Sequence, residues 1–136
     1  MNNISHEFVQ ELFNHIKVGQ TDKFFAQVAD DVHWTVMGTH PLAGDYHSKE
    51  DFTNHTFKRI SNVIKQGLDF TVTNVVIENN IAVVEMKAKA LALNGKPFNN
   101  IYCWIVKFSD EGIIVEVRAY VDSALVKQTI EENETT

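Results

Sequence analysis

The spacing of apolar residues changes at Leu68, and this change constrains the fold more than any other feature of the sequence. From there the apolar residues repeat with a period of two, as in β-strands, in four segments: residues 68–77, 81–93, 98–108 and 113–121. Short turns join the segments, and Asn94-Gly95 is a strong hairpin signal because both residues tolerate positive φ. The second half of the chain therefore predicts a four-stranded antiparallel meander.

Helical spacing dominates the first half instead. A first helix is predicted to begin at Ser5, whose hydroxyl can cap the free N–H groups of the first turn, and to end at Gly19. A second, shorter helix is predicted in residues 21–31 and a strand in residues 32–38. Ser48 is followed three residues later by an acid, a pattern that predicts the start of a third helix.

The third helix is predicted to close at Gly67, and a last helix to begin at Asp122 or Ser123. Helices followed by a long antiparallel meander are typical of an α+β fold. Because long antiparallel strands coil, we expect a cone-like single domain with helices packed in the concave face of a curved antiparallel sheet. One domain is predicted over residues 1–136, with a core of about residues 5–127 and a polar C-terminal tail.

Composition limits the partners and cofactors. The net charge of −6 and the lack of a basic run argue against nucleic acid, and no apolar run approaches the length of a membrane span. The single cysteine, Cys103, leaves no disulfide, and the histidines show no metal-ligand spacing, so we expect no metal and no cofactor. The N-terminus lacks the charged and apolar regions of a signal peptide, which predicts a cytoplasmic protein.

Three segments of the chain together carry a family resemblance. "VADDVHWTVMGTHPLAGDYHSKEDF", "FNNIYCWIVKFSDEG" and "VRAYVD" resemble the SnoaL-like, ketosteroid-isomerase-related branch of the nuclear-transport-factor-2-like superfamily, over roughly residues 5–127. The resemblance implies a cone with an internal pocket, usually in a homodimer paired through the sheet. It does not imply one reaction, because this fold hosts isomerases, epoxide hydrolases, polyketide cyclases and binding modules.

The catalytic residues of ketosteroid isomerases have no counterparts here. Their aspartate base falls at Thr35 or Val36, their tyrosine near Leu12, and their late-strand aspartate at Trp104. An indole N–H can donate a hydrogen bond, but it can neither abstract a proton nor hold a charge. We therefore expect no ordinary ketosteroid isomerase activity.

Limonene-epoxide-hydrolase-like members carry a segment similar to "RAYVD", in which the first aspartate activates water. That position is Ala119 in this chain. The supporting Arg and Asp fall near Met86 and Ala88 or, if the Asn94-Gly95 turn is one residue shorter, near Glu85 and Lys87. In the first register, the supporting Arg and Asp of the hydrolases have no counterparts. In the second, Glu85 and Lys87 form an acid–base pair whose order along the chain is reversed.

Strand parity predicts which side chains enter the cone, since residues two apart share a face. If Trp104 and Ala119 face inward, then Val115 does as well, and Arg118 and Asp122 face away. The ligand pocket is predicted to be lined by Trp34, Met86, Ala88, Asn100, Tyr102, Trp104, Val117 and Ala119. Asn100 and Tyr102 are the polar residues expected to orient a ligand.

Three functions remain open from the sequence. The first is a binding protein that holds a small apolar molecule in the pocket. The second is an isomerase, epoxide hydrolase or cyclase-like enzyme with a rearranged acid–base set, using Asp122, His40 or Glu85 as the base and Tyr102 as the donor. Asp122 also suits a helix N-cap. The third is a dimerisation or assembly module with a filled cone.

The outer face of the predicted sheet is unusually apolar. The residues expected there are Ile101, Cys103, Ile105, Ile114, Arg118 and Tyr120. Large exposed apolar patches generally mark interfaces. We therefore expect a homodimer joined through the sheet, with Arg118 and Tyr120 at or near the contact.

Overall fold

The computed structural model of the chain describes residues 4–65 and 68–134. Within these ranges the elements are α1 (His6–Lys17), α2 (Thr21–Phe25), β1 (Val28–Val36), β2 (Gly44–Tyr46), α3 (Lys49–His55), α4 (Phe57–Ser61), β3 (Asp69–Glu78), β4 (Ile81–Lys89), β5 (Ile101–Phe108), β6 (Ile114–Val121) and α5 (Ser123–Asn133). The helices pack against a curved sheet, and the predicted α+β fold is confirmed.

The strands form one sheet in the order β2-β1-β6-β5-β4-β3. The predicted meander from β3 to β6 is antiparallel throughout, but β1 pairs with β6 in parallel, so the sheet is mixed rather than wholly antiparallel. The long connection through α3, α4 and the meander makes this parallel pairing possible. Strand β2 was not predicted, because three residues that include a glycine show no alternation of apolar and polar side chains.

Side chains cap three helices. Ser5 Oγ accepts from the N–H of Phe8 at 3.1 Å, and Ser48 Oγ accepts from the N–H of Asp51 at 3.0 Å, so both predicted caps are confirmed. At α5 the cap is Asp122 rather than the alternative, Ser123; its carboxylate accepts from the N–H of Leu125 at 3.2 Å.

Two predicted helices are shorter than expected. The segment 21–31 is helical only to Phe25, because the apolar alternation of β1 begins at Val28. The third helix breaks at Thr56, where φ is −123° and ψ is −76°, and it resumes as α4. The predicted end at Gly67 lies outside the described residues.

The register of the central strands decides which residues face the helices. Met86 pairs with Tyr102, so Met86 and Ala88 are buried while Glu85 and Lys87 are exposed. Of the two pairs considered above, Met86 and Ala88 therefore face the helices, and Glu85 and Lys87 face solvent.

A bulge in β6 overturns two expectations. Lys107 pairs with Glu116 but Phe108 pairs with Ile114, which leaves Val115 as an extra residue. A bulge reverses the alternation of inward and outward side chains in the part of the strand that precedes it. Ile114 is therefore buried in the core rather than on the outer face. Val115, expected inside, is half-buried.

Buried apolar residues form two clusters. The larger lies between α1 and the sheet, where the ring centroids of Phe13 and Trp104 are 5.8 Å apart. The smaller lies beside α5 and consists of Leu42, Ile60, Val63, Ile64, Phe98, Val126 and Ile130. We refer to it as the α5 cluster.

Candidate ligand cavity

A cavity of about 70 Å³ lies where the two apolar clusters meet. The lining residues are Trp34, Val36, His40, Leu42, Phe52, Thr56, Phe57, Ile60, Leu68, Phe70, Phe98, Tyr102, Trp104, Ala119, Val121 and Val126. No Asp, Glu, Lys or Arg is among these described residues. The volume is roughly half that of an engineered apolar cavity of about 150 Å³ that binds benzene.

Aromatic rings and one small residue shape the cavity. Trp34 stacks on Phe52 at a centroid distance of 3.8 Å, and it meets Trp104 nearly edge-on at 5.2 Å and 84°. Ala119 pairs with Trp104 on one side and with Val36 on the other. Its methyl group leaves open the space that a larger side chain at this position would fill.

His40 lines the cavity, but neighbouring backbone occupies both of its ring nitrogens. Nδ1 accepts from the N–H of Leu42 at 3.2 Å, so the proton is on Nε2, which donates to the carbonyl of Met37 at 3.1 Å. Burial lowers the pKa of His40, against the smaller opposing effect of the hydrogen bond to Met37. The imidazole is therefore neutral near pH 7 and has no free lone pair to act as a base.

Tyr102 and Thr56 are the hydroxyl groups of the cavity. Burial raises the pKa of Tyr102 well above its ordinary value, so the phenol stays protonated. Within the described residues its hydroxyl makes no hydrogen bond, whereas the Thr56 hydroxyl donates to the carbonyl of Phe52 at 2.7 Å. The described residues that line the cavity therefore carry no charge at neutral pH.

Two lining residues carry buried donors without partners. The Nε1 atoms of Trp34 and Trp104 make no hydrogen bond. A third such atom, Nδ2 of Asn100, lies at the start of β5, where Asn100 Oδ1 accepts from the N–H groups of Ile101 at 2.8 Å and Asp122 at 3.0 Å.

The structure brings half of the predicted pocket residues to the cavity. Those that line it are Trp34, Tyr102, Trp104 and Ala119. The others, Met86, Ala88, Asn100 and Val117, are buried but do not line it. Met86 and Val117 are instead packed in the larger apolar cluster.

The four catalytic candidates separate in space. His40 and Tyr102 line the cavity. Asp122 is an exposed helix cap, and Glu85 is exposed on the other face of the sheet, where it accepts from Asn74 Nδ2 at 3.1 Å. No carboxylate therefore reaches the cavity from the described residues.

Several lining residues were missed by the sequence analysis. They include Leu42, Phe52, Phe98 and Val126, which come from a loop, α3, the 94–95 hairpin and α5. Long-range packing brings them together, and each resembles an ordinary core residue in its own segment. Phe52 has a usable signal in the sequence, because it recurs with Thr56 and Ile60 at the spacing of one helix face.

Neither a metal site nor a membrane span is found in the described chain. Residues 4–65 and 68–134 contain no group of three or more His, Cys, Asp or Glu side chains placed to hold a metal ion. In the same ranges no helix is both long and apolar enough to cross a bilayer.

Comparison with known proteins identifies a domain family. A family model described as a SnoaL-like domain matches residues 9–117. Two curated relatives are 25% identical over 134 residues: the dimerizing cyclase phiC from a fungal species and the dimerizing cyclase tstC from Talaromyces stipitatus. Each match covers 96% of this chain and 59% of the relative, so the chain spans about three fifths of their length.

A solved structure shows the same fold. An NTF2-like protein from Burkholderia thailandensis superposes with a TM-score of 0.77 at 21% identity, covering 91% of this chain and 95% of that one. At this identity the likeness shows the fold alone. The predicted nuclear-transport-factor-2-like architecture is confirmed.

Proposed function

The chain belongs to the SnoaL-like domain family, and from this premise we propose that it binds a neutral, mainly apolar small molecule in the cavity beside α5. The observation that carries the proposal is the absence of charge among the described lining residues, together with the pKa shifts of His40 and Tyr102, both of which favour the neutral form. Such a wall favours apolar surface at about 25 cal/mol per Å² and disfavours an unpaired ion.

The size of the cavity limits its occupant. At about 70 Å³ it accommodates only a few non-hydrogen atoms without rearrangement. A larger ligand must displace side chains of the α5 cluster, such as Leu42 and Val126, which line the cavity and join α5 to the neighbouring loop. We therefore expect α5 to move when a larger ligand binds.

Intrinsic fluorescence provides a test, because both tryptophans of the chain line the cavity. Titration with neutral cyclopentanone or methylenecyclopentane should change the tryptophan emission in a saturable way. Cyclopentanecarboxylate, which is similar in size but charged at pH 7, should not. Saturable binding of the carboxylate but not of the neutral compounds would refute the proposal.

A pair of variants locates the binding. Ala119→Leu fills the space beside Trp104 and should abolish the saturable change. Ala124→Leu adds the same bulk at an exposed position of α5 and should leave it intact. Unchanged binding in a folded Ala119→Leu variant would place the ligand elsewhere.

Cyclase-like catalysis is the second candidate, and the names of the two curated relatives favour it. Without a free base in the cavity, rate enhancement would come from confinement and from the Tyr102 hydroxyl acting as a donor to a developing oxyanion. Heptane-2,6-dione, which closes to 3-methylcyclohex-2-enone with loss of water, is a suitable probe. Catalysed closure that Tyr102→Phe reduces, and that the cap-preserving Asp122→Asn leaves unchanged, would support this candidate over simple binding.

A homodimer joined through the outer face of the sheet completes the proposal. Apolar side chains remain exposed there, including Ile101 at 58% and Tyr120 at 41%. Cys103 lies between them, and burial, together with the nearby Glu85, raises the pKa of its thiol. A stable interface of this kind should bury about 2,000 Å² in total.

A further inference from the structure

In the described chain, every fully buried side-chain nitrogen or oxygen that lacks a hydrogen bond is a donor. The three atoms are Nε1 of Trp34, Nε1 of Trp104 and Nδ2 of Asn100. Unpaired buried polar groups are uncommon in native proteins, and each one needs an explanation. Two of the three belong to residues that line the cavity.

All three nitrogens are unambiguous hydrogen-bond donors. An indole nitrogen is only ever a donor. The Asn100 amide is fixed because its oxygen accepts from two backbone N–H groups, and turning it over would place NH₂ against both.

The contact between the two indoles cannot satisfy both of them. The rings meet nearly edge-on at 84°, so at most one ring presents its edge, and with it its N–H, to the face of the other. An N–H···π contact of that kind is a weak hydrogen bond. The contact between the indoles therefore satisfies at most one of the two N–H groups, and neither makes a conventional hydrogen bond.

We propose that Trp34 and Trp104 are specificity-determining residues that select ligands bearing a neutral carbonyl oxygen. This inference rests on the proposed binding function. A carbonyl is an acceptor with no proton of its own to satisfy, so it complements the two unpaired indole donors of the cavity wall. His40 cannot provide the missing acceptor, because both of its nitrogens are already bonded.

The test compares cyclopentanone with methylenecyclopentane, in which CH₂ replaces the carbonyl oxygen. The chain has two tryptophans and therefore two indole N–H signals in a ¹H–¹⁵N spectrum. At least one should move downfield and saturate with the ketone but not with the hydrocarbon. The ketone should also bind roughly tenfold more tightly, the value expected for one hydrogen bond made in a dry site.

Trp34→Phe and Trp104→Phe each remove one indole N–H while keeping an aromatic ring. The variant that lacks the engaged N–H should lose the ketone preference and still bind methylenecyclopentane. Equal binding of the two compounds by the wild-type protein, or an unchanged preference in both variants, would overturn the inference alone. If neither compound binds, the proposed function fails and the inference fails with it.

Discussion

The two faces of β5 and β6 share one backbone but present different chemistry. On the inner face, Trp104 and Ala119 form part of a cavity wall without charge. On the outer face, Ile101 and Tyr120 are exposed, and Arg118 contacts Glu116 at 3.3 Å. This difference supports the proposed neutral ligand for the inner face and the proposed dimer contact for the outer face.

The comparison also explains where the acidic candidates fall. Glu85 and Asp122 are on the solvent side of the same sheet, where hydration and polar neighbours stabilise a carboxylate. Inside, Ala119 occupies the position at which the hydrolase-like pattern would place an acid. The inner face thus has the fold of the family, with no Asp, Glu, Lys or Arg among the described residues that line the cavity.

The largest expected effect comes from removing the inner wall. Trp104→Ala should lower the free energy of unfolding by about 3–5 kcal/mol, because the side chain is 3% exposed and packs against Phe13 and Trp34. Urea unfolding measures this. A loss below about 1 kcal/mol would show that the indole is not packed as described.

Adding a charge to the inner face should lower the free energy of unfolding almost as much. Ala119→Asp should destabilise the protein by roughly 2–4 kcal/mol at pH 7, since the carboxylate has no partner among the lining residues. Burial would raise its folded-state pKa, so the loss should shrink as the pH falls towards the unfolded value of about 3.9.

A matched substitution controls for this effect. Thr71→Asp places the same acid at an exposed position of β3 and should change stability by no more than about 0.5 kcal/mol. Equal losses of stability in the two variants would contradict the proposed difference between an uncharged interior and a solvated surface.

On the outer face, reversing one charge should weaken association. Arg118→Glu should raise the dimer dissociation constant by about tenfold or more without changing ligand binding, because like charges would meet Glu116 and the partner surface. Lys58→Glu makes an equal change of charge at an exposed position of α4 and should not change the dissociation constant. Sedimentation that shows a 15.5 kDa monomer at micromolar concentration for the wild-type protein would refute the dimer.

The smallest expected effect concerns His40. Because its folded-state pKa lies below the ordinary value of 6.5, His40 contributes stability that is present above pH 6.5 and lost as the pH falls through the folded pKa. His40→Gln should flatten the stability profile over that interval. An NMR titration that places the His40 midpoint above 6.5 would contradict a neutral cavity.

Local sequence patterns predicted much of the fold, and the family resemblance together with strand parity predicted part of the site. The family resemblance implied that Trp104 of β5 faces inward, where it is buried, and the cap residues Ser5 and Ser48 marked helix starts that the structure confirms. The parallel pairing of β1 with β6 and the bulge at Val115 had no local signal, since both depend on distant strands. For the same reason the contributions of α5 and the 94–95 hairpin to the cavity were missed.

A crystal pressurised with xenon tests the central claim most directly, because xenon enters cavities that are apolar and dry. We expect one xenon atom in the cavity between Trp34, Trp104 and Ala119, with no ordered water in that space. Ordered water hydrogen-bonded within the cavity, or xenon found only on the outer face of the sheet, would contradict it.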